Sequence, residues 1–179
     1  MKIVLVKLNN GYSYLIEVYN VCYLISPYHV LCNKYLDWGL KSIDAQTFYR
    51  ADLNLKIECI KGTLNRKLDL VVAKLEESVI PFTSSLVVMD KLEVINPQPS
   101  NFIKIYNYTI QNECSINFGK HTQTFEKLIV CNKVSTKGYS GKLITNSCNT
   151  LLGMVIADNR SKSFILPITN IINYIKNSF

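Results

Sequence analysis

Arginine is scarce in this chain: Arg50, Arg66 and Arg160 are all there is, so lysine carries nearly all the positive charge behind the net +7 and the pI of about 9.1. The lysines are scattered and form no block. Specific nucleic-acid readers gather arginine and aromatic side chains on one face, so a solubilising lysine surface is expected here and no specific nucleic-acid partner. No apolar block approaches the roughly 18 residues that a membrane span needs, which leaves no membrane partner to expect. The opening run Met1-Lys2-Ile3-Val4-Leu5-Val6-Lys7 has the length of a strand and is too short for a signal-peptide core. A protein that is not exported is therefore expected. The cysteines Cys22, Cys32, Cys59, Cys114, Cys131 and Cys148 form no Cys-x-x-Cys pair and no metal-ligand spacing. They are expected to be reduced thiols, the four in or beside apolar strand runs packing as small hydrophobes, with no metal and no cofactor.

What is present is order. Hydrophobic residues make up 48% of the 179 positions and charged ones 18%, enough for one large domain or two small ones with a real core. Up to Leu75 the pattern is one short strand after another. Tyr12–Val18 follows the hairpin signal Asn9-Asn10-Gly11, and Val21–Ser26, Pro27–Cys32, Phe48–Ala51, Leu55–Ile60 and Leu68–Leu75 come next. Glu76-Glu77-Ser78 and the looser segment through Ser85 then read as a connection. Strand-like runs resume at Leu86–Met89, Phe102–Tyr106, Thr124–Val130, Lys142–Thr145, Leu151–Ala157 and Ser163–Leu166. At Pro167 the apolar period becomes helical, predicting one helix over 168–177 with Thr169 as its N-cap. The expected class is all-β, divided into units 1–78 and 79–179, with a C-terminal α-helix.

The chemistry concentrates in Lys137-Gly138-Tyr139-Ser140-Gly141-Lys142-Leu143. Glycines on both sides of a serine allow a tight turn that can aim two backbone N–H groups at one point before the hydroxyl. An oxyanion is held in that way while serine attacks a carbonyl. By itself such a stretch is more often a glycine-rich turn with a solvent-facing serine. Its setting adds to it: His29 follows the strand ending at Ser26, and Asp69 stands near the start of the run Leu68–Leu75. The other histidine, His121, sits in a polar segment that reads as an exposed loop.

Gly138-Tyr139-Ser140-Gly141 resembles the nucleophile motif of chymotrypsin-like serine proteases. Ser26-Pro27-Tyr28-His29 resembles their histidine segment, and Asp69 with the strand after it resembles their aspartate segment. The order His, Asp, Ser is that family's order, and the match runs over nearly the whole chain. It is closest to the compact viral and intracellular branches. The resemblance implies two six-stranded antiparallel β-barrels and a Ser-His-Asp triad of Ser140, His29 and Asp69, with an oxyanion hole from the N–H groups of Gly138 and Ser140. It further implies endopeptidase activity on a polypeptide through an acyl-enzyme, in the cytoplasm (the host's, for a viral protein). Viral polyprotein or intracellular protein processing is the implied role.

Two positions depart from the pattern. Lys142 stands where many members carry proline or a small residue. Tyr139 replaces the aspartate that receives a new N-terminus in secreted members, so no zymogen step is expected. The pocket is expected among Ser135, Thr136, Val155, Ile156, Ala157 and Asp158. Val155 stands where glutamine-cutting relatives place a histidine, so a small or apolar residue before the cut is expected. A second resemblance is to poxin-like nucleases, which cleave a cyclic dinucleotide with a histidine, a tyrosine and a lysine. His29, Tyr139 and Lys142 supply those types, and the positive charge suits an anionic substrate. A protease fold reduced to a catalytically inactive binding module is the other alternative.

Overall fold

The computed structural model describes residues 1–8, 11–32, 42–43, 47–50, 55–75, 84–117, 122–134 and 139–179. The first half supplies β1 (Lys2–Leu8), β2 (Gly11–Val18), β3 (Val21–Pro27), the short helix α1 (Tyr28–Cys32), β4 (Ser42–Ile43), β5 (Thr47–Arg50), β6 (Leu55–Asn65), a 3-10 turn (Arg66–Leu68) and β7 (Leu70–Leu75). The second half supplies β8 (Ser85–Val88), β9 (Glu93–Ile95), β10 (Phe102–Lys104), β11 (Tyr108–Asn117) and β12 (Thr122–Asn132). It continues with β13 (Leu143–Thr145), β14 (Leu151–Asp158), β15 (Lys162–Pro167) and helix α2 (Ile168–Ser178).

The strands are rich in β-branched and aromatic residues, which suit a pleated, packed surface. In β2, Tyr14, Leu15 and Ile16 are all fully buried. That strand is covered on both faces, which explains why it reads as a continuous apolar run instead of an alternating one. β1 and β2 pair antiparallel with Leu8 opposite Gly11, a register that leaves a two-residue connection. The Asn9-Asn10 part of that hairpin lies outside the described residues.

Two sheets result, ordered β4-β6-β7-β3-β2-β1-β8-β9, with β5 paired to β6, and β10-β13-β14-β15-β12-β11. Pairing is antiparallel apart from β10 with β13. The second sheet has the six expected strands, the first has nine, and among the described residues neither closes into a barrel. The physical reason in the first sheet is that the outer edge of β1 is occupied by β8, with Lys2 opposite Leu86 and Ile3 opposite Ser85. The boundary expected at 78/79 lies outside the described residues.

One hydrophobic core joins the sheets, with Tyr14, Ile16, Leu70 and Val72 of the first meeting Leu128, Met154 and Leu166 of the second. The opposite face of the second sheet buries its own cluster of Ile105, Ile129, Ile144, Val155 and Ile165. Helix α2 seals the shared core with Ile168, Ile171 and Ile175, the i, i+3, i+7 spacing of one helical face. Its N-cap is Pro167, with no side-chain cap bond, so Thr169 lies inside the first turn instead of capping it. Strand β15 runs straight into the helix, which leaves no room for a separate capping residue. A second correction concerns Pro27–Cys32. Expected as a strand, it turns helical after Pro27, where the Tyr28 N–H leaves the ladder to donate to Asp69 O at 2.8 Å.

Cys114 and Cys131 are buried free thiols, and burial pushes both up from the usual thiol range. No helix among the described residues is long and apolar enough to cross a membrane.

Ile171 is fully buried in the shared core, so Ile171→Ala removes packed methylenes and leaves a cavity. The expected cost is about 2–5 kcal/mol, measured by urea unfolding followed by circular dichroism.

Candidate active site

His29, Asp69 and Ser140 come from three separate places and meet. The His29 Nδ1 lies 2.6 Å from Asp69 Oδ2, and His29 Nε2 lies 3.1 Å from Ser140 Oγ. The His29 backbone N–H also donates to Asp69 Oδ1 at 3.0 Å. Both carboxylate oxygens therefore accept from the same residue, one from its backbone and one from its ring.

The first two members are neighbours because of strand pairing. β3 and β7 are antiparallel with Pro27 opposite Leu70. The residues just past the end of β3 and just before the start of β7 therefore emerge at the same end of the ladder. Asp69 has a positive φ of 51°, a left-handed conformation that aspartate tolerates better than most residues. The turn before it is held by Asn65, whose Oδ1 accepts the Leu68 N–H at 3.1 Å. Asp69 O then takes the Tyr28 N–H, so α1 and the aspartate turn are tied by backbone and side chain together.

Ser140 is held from two sides. Its carbonyl accepts the Tyr12 N–H of β2 at 2.7 Å. The next residue, Gly141, donates its N–H to Val155 O of β14 at 2.7 Å, and Val155 N–H donates to Lys142 O at 2.9 Å. The serine turn thus bridges the two sheets. Glycine is required at Gly141, where φ is +95° and a Cβ would sit 1.7 Å from Tyr12 O. A Cβ on Gly11 would meet Ser140 O at 2.6 Å, so both sides of this contact lack side chains.

The Asp69 side chain is 4% exposed and that of His29 22%. The carboxylate is buried while the imidazole reaches solvent beside the serine. With Nδ1–H donating to the carboxylate, the neutral ring presents its Nε2 lone pair to the Ser140 hydroxyl. That arrangement can take a proton from serine and stabilise the imidazolium that forms.

The remaining expected site residues divide. Gly138, Ser135 and Thr136 lie outside the described residues, as does His121. The Ser140 N–H has no acceptor among the described residues. The side chains of Val155 and Ile156 are fully buried, one in each core, so they shape the site from behind. Ala157 and Asp158 are half-buried, and the Ser163 hydroxyl donates to Asp158 Oδ1. In the sequence Gly11 belongs to a hairpin signal and Tyr12 opens a strand. Their part in seating Ser140 follows from a contact across the whole chain that no local pattern carries. Among the described residues no three His, Cys, Asp or Glu side chains converge as metal ligands. A groove of about 300 Å³ lined by Tyr106, Tyr108, Cys131 and Lys162 among others includes none of the three meeting residues.

A scan against protein-family models finds no match to this chain, and no curated protein matches its sequence.

The Gly141 contact gives the sharpest test of this geometry. Gly141→Ala would drive a methyl into the Tyr12 carbonyl and force the turn off β2. Thermal unfolding is expected to show a loss exceeding about 2 kcal/mol of stability, whereas Ser140→Ala is near neutral in the same measurement.

Proposed function

We propose that the protein is a chymotrypsin-like serine endopeptidase, acting on polypeptides through Ser140, His29 and Asp69. The observation that carries this reading is the pair of distances on His29, 2.6 Å from Nδ1 to Asp69 Oδ2 and 3.1 Å from Nε2 to Ser140 Oγ. Three groups of the right kinds, far apart along the chain, meet in hydrogen-bonding order at the junction of two sheets. The serine turn, bonded to both β2 and β14, supports the finer reading in which the site lies between two β-units. On that reading His29 and Asp69 belong to unit 1–78 and Ser140 to unit 79–179.

The chemistry runs as follows. Nε2 of His29 removes the Ser140 proton as Oγ attacks the scissile carbonyl carbon, and Asp69 holds the imidazolium in place. The Ser140 N–H, with that of Gly138, stabilises the tetrahedral oxyanion. Collapse expels the amine, which takes the proton from Nε2 and leaves an acyl-enzyme on Ser140. Water, activated by the same histidine, then releases the acid. The hydrogen bond from Nδ1–H to Asp69 fixes the tautomer, and the carboxylate offsets the charge that develops on the ring. Cytoplasmic processing of a viral polyprotein or of intracellular proteins is the setting that the resemblance favours.

The nuclease alternative is less well supported. Its tyrosine and lysine, Tyr139 and Lys142, lie against each other with Lys142 Nζ 4.8 Å from the ring centroid, while His29 is engaged by Asp69 and Ser140.

A fluorophosphonate probe tests the reading. Labelling of the wild-type protein is expected at Ser140, located by peptide mapping, and it is lost in Ser140→Ala. Turnover of a cleaved peptide should fall roughly a million-fold in Ser140→Ala or His29→Ala and about 10⁴-fold in Asp69→Asn. A folded wild-type protein that takes up no probe would overturn the proposal. Cleavage of a cyclic dinucleotide by that unlabelled protein would establish the nuclease instead.

A further inference from the structure

We infer that Lys142 is a positioning residue, whose ammonium lies over Tyr12 and Tyr139 and pins the Ser140 turn to β2. It thereby sets the reach from Ser140 Oγ to His29 Nε2. The inference rests on the proposed serine chemistry for its kinetic consequence, though not for its structural one.

The seam is where such a device is needed. His29 and Asp69 are mounted on the first sheet, while the turn carrying Ser140 runs into β13 of the second. A small slide of one sheet on the other would change the 3.1 Å separation between Nε2 and Oγ. At the turn, one backbone bond, Tyr12 N–H to Ser140 O, crosses that seam. Beside it stands a cluster of three side chains. The rings of Tyr12 and Tyr139 meet edge to face, with centroids 5.9 Å apart and planes at 83°. Lys142 Nζ lies 5.3 Å from the Tyr12 centroid and 4.8 Å from the Tyr139 centroid. Both separations are within the range in which a ring face attracts a cation.

The cluster spans the seam by construction. Tyr12 belongs to β2, whereas Tyr139 and Lys142 flank Ser140 and Gly141 in the turn. Gly141, with no side chain, lets the turn come into backbone contact with Tyr12, and that contact brings the three larger side chains together. All three are half-buried, where a cation–ring contact is stronger than at an open surface. No carboxylate of the described residues lies within ion-pair distance of Lys142. The ring faces are thus what its charge is set against. A charge-neutral side chain of the same length would fill the space without the attraction.

The experiment compares Lys142→Met, Lys142→Arg, Tyr12→Phe, Tyr12→Leu and the double variant Lys142→Met with Tyr12→Leu. Two quantities are read: fluorophosphonate labelling kinetics resolved into probe binding and bond formation, and deuterium exchange of the Tyr12 amide. Lys142→Met should slow bond formation about tenfold with probe binding unchanged, as expected for loss of one partly desolvated cation–ring contact. Lys142→Arg, which keeps the cation, and Tyr12→Phe, which keeps the face, should stay within about twofold of wild type. The double variant should be no slower than the slower single variant, because both remove one unit. Exchange of the Tyr12 amide should quicken in Lys142→Met and return to the wild-type rate in Lys142→Arg. Wild-type kinetics and exchange in Lys142→Met overturn the inference, as do equal losses in Lys142→Arg or additive losses in the double variant. If the wild-type protein takes no label while the exchange pattern holds, the pinning of the turn by Lys142 stands and the serine-protease reading falls.

Discussion

Everything at the candidate site depends on how closely two stretches of backbone approach each other. Ser140 O and Tyr12 N–H meet at 2.7 Å because Gly11 and Gly141 place no carbon between them. This one contact joins the sheet that carries the histidine and aspartate to the turn that carries the serine. The hydroxyl's position is thus inherited from the packing of two sheets, and the shared core beneath them is what keeps the imidazole and hydroxyl within reach. Hydrophobic burial supplies the bulk of that hold, and hydrogen bonds supply its register.

The aspartate turn shows a second constraint. A carboxylate as buried as Asp69 is costly to leave charged unless its oxygens are bonded. Here one oxygen accepts a backbone N–H and the other the imidazole, both from His29. The left-handed backbone at Asp69 directs the side chain back toward α1, and α1 begins where it does because Tyr28 N–H is drawn to the same residue. Helix start, strained turn and ring orientation therefore form a single arrangement.

Much of this could be read in advance, and the parts that could not have physical causes. The buried strands were legible because central strands leave continuous apolar runs, as in Tyr14-Leu15-Ile16. Strand β11 was not, since along most of its length its side chains face solvent and only Cys114 and Ile116 are buried. Its existence comes from pairing with β12, a tertiary effect that local propensity does not carry. The helix at Ile168–Ser178 announced itself by its period, whereas the five-residue α1 is too short for any period to appear. His29, Asp69 and Ser140 stood out in the sequence by residue type and order. The contributions of Tyr12 and Val155 did not, because each acts through a backbone group that every residue possesses, and that of Gly11 did not, because the carbonyl it makes room for lies far along the chain. The open, nine-stranded form of the first sheet also escaped, since β8 joins β1 from the far side of the chain.

Val155 has a double attachment with a consequence for how this molecule tolerates change. Its main chain grips the serine turn at both Gly141 and Lys142, while its side chain is locked among Ile129, Ile144 and Ile165 on the closed side of the second sheet. An alteration of volume in that remote cluster therefore has a short mechanical route to the Ser140 hydroxyl. The packing of that cluster and the aim of the oxygen can drift only in concert.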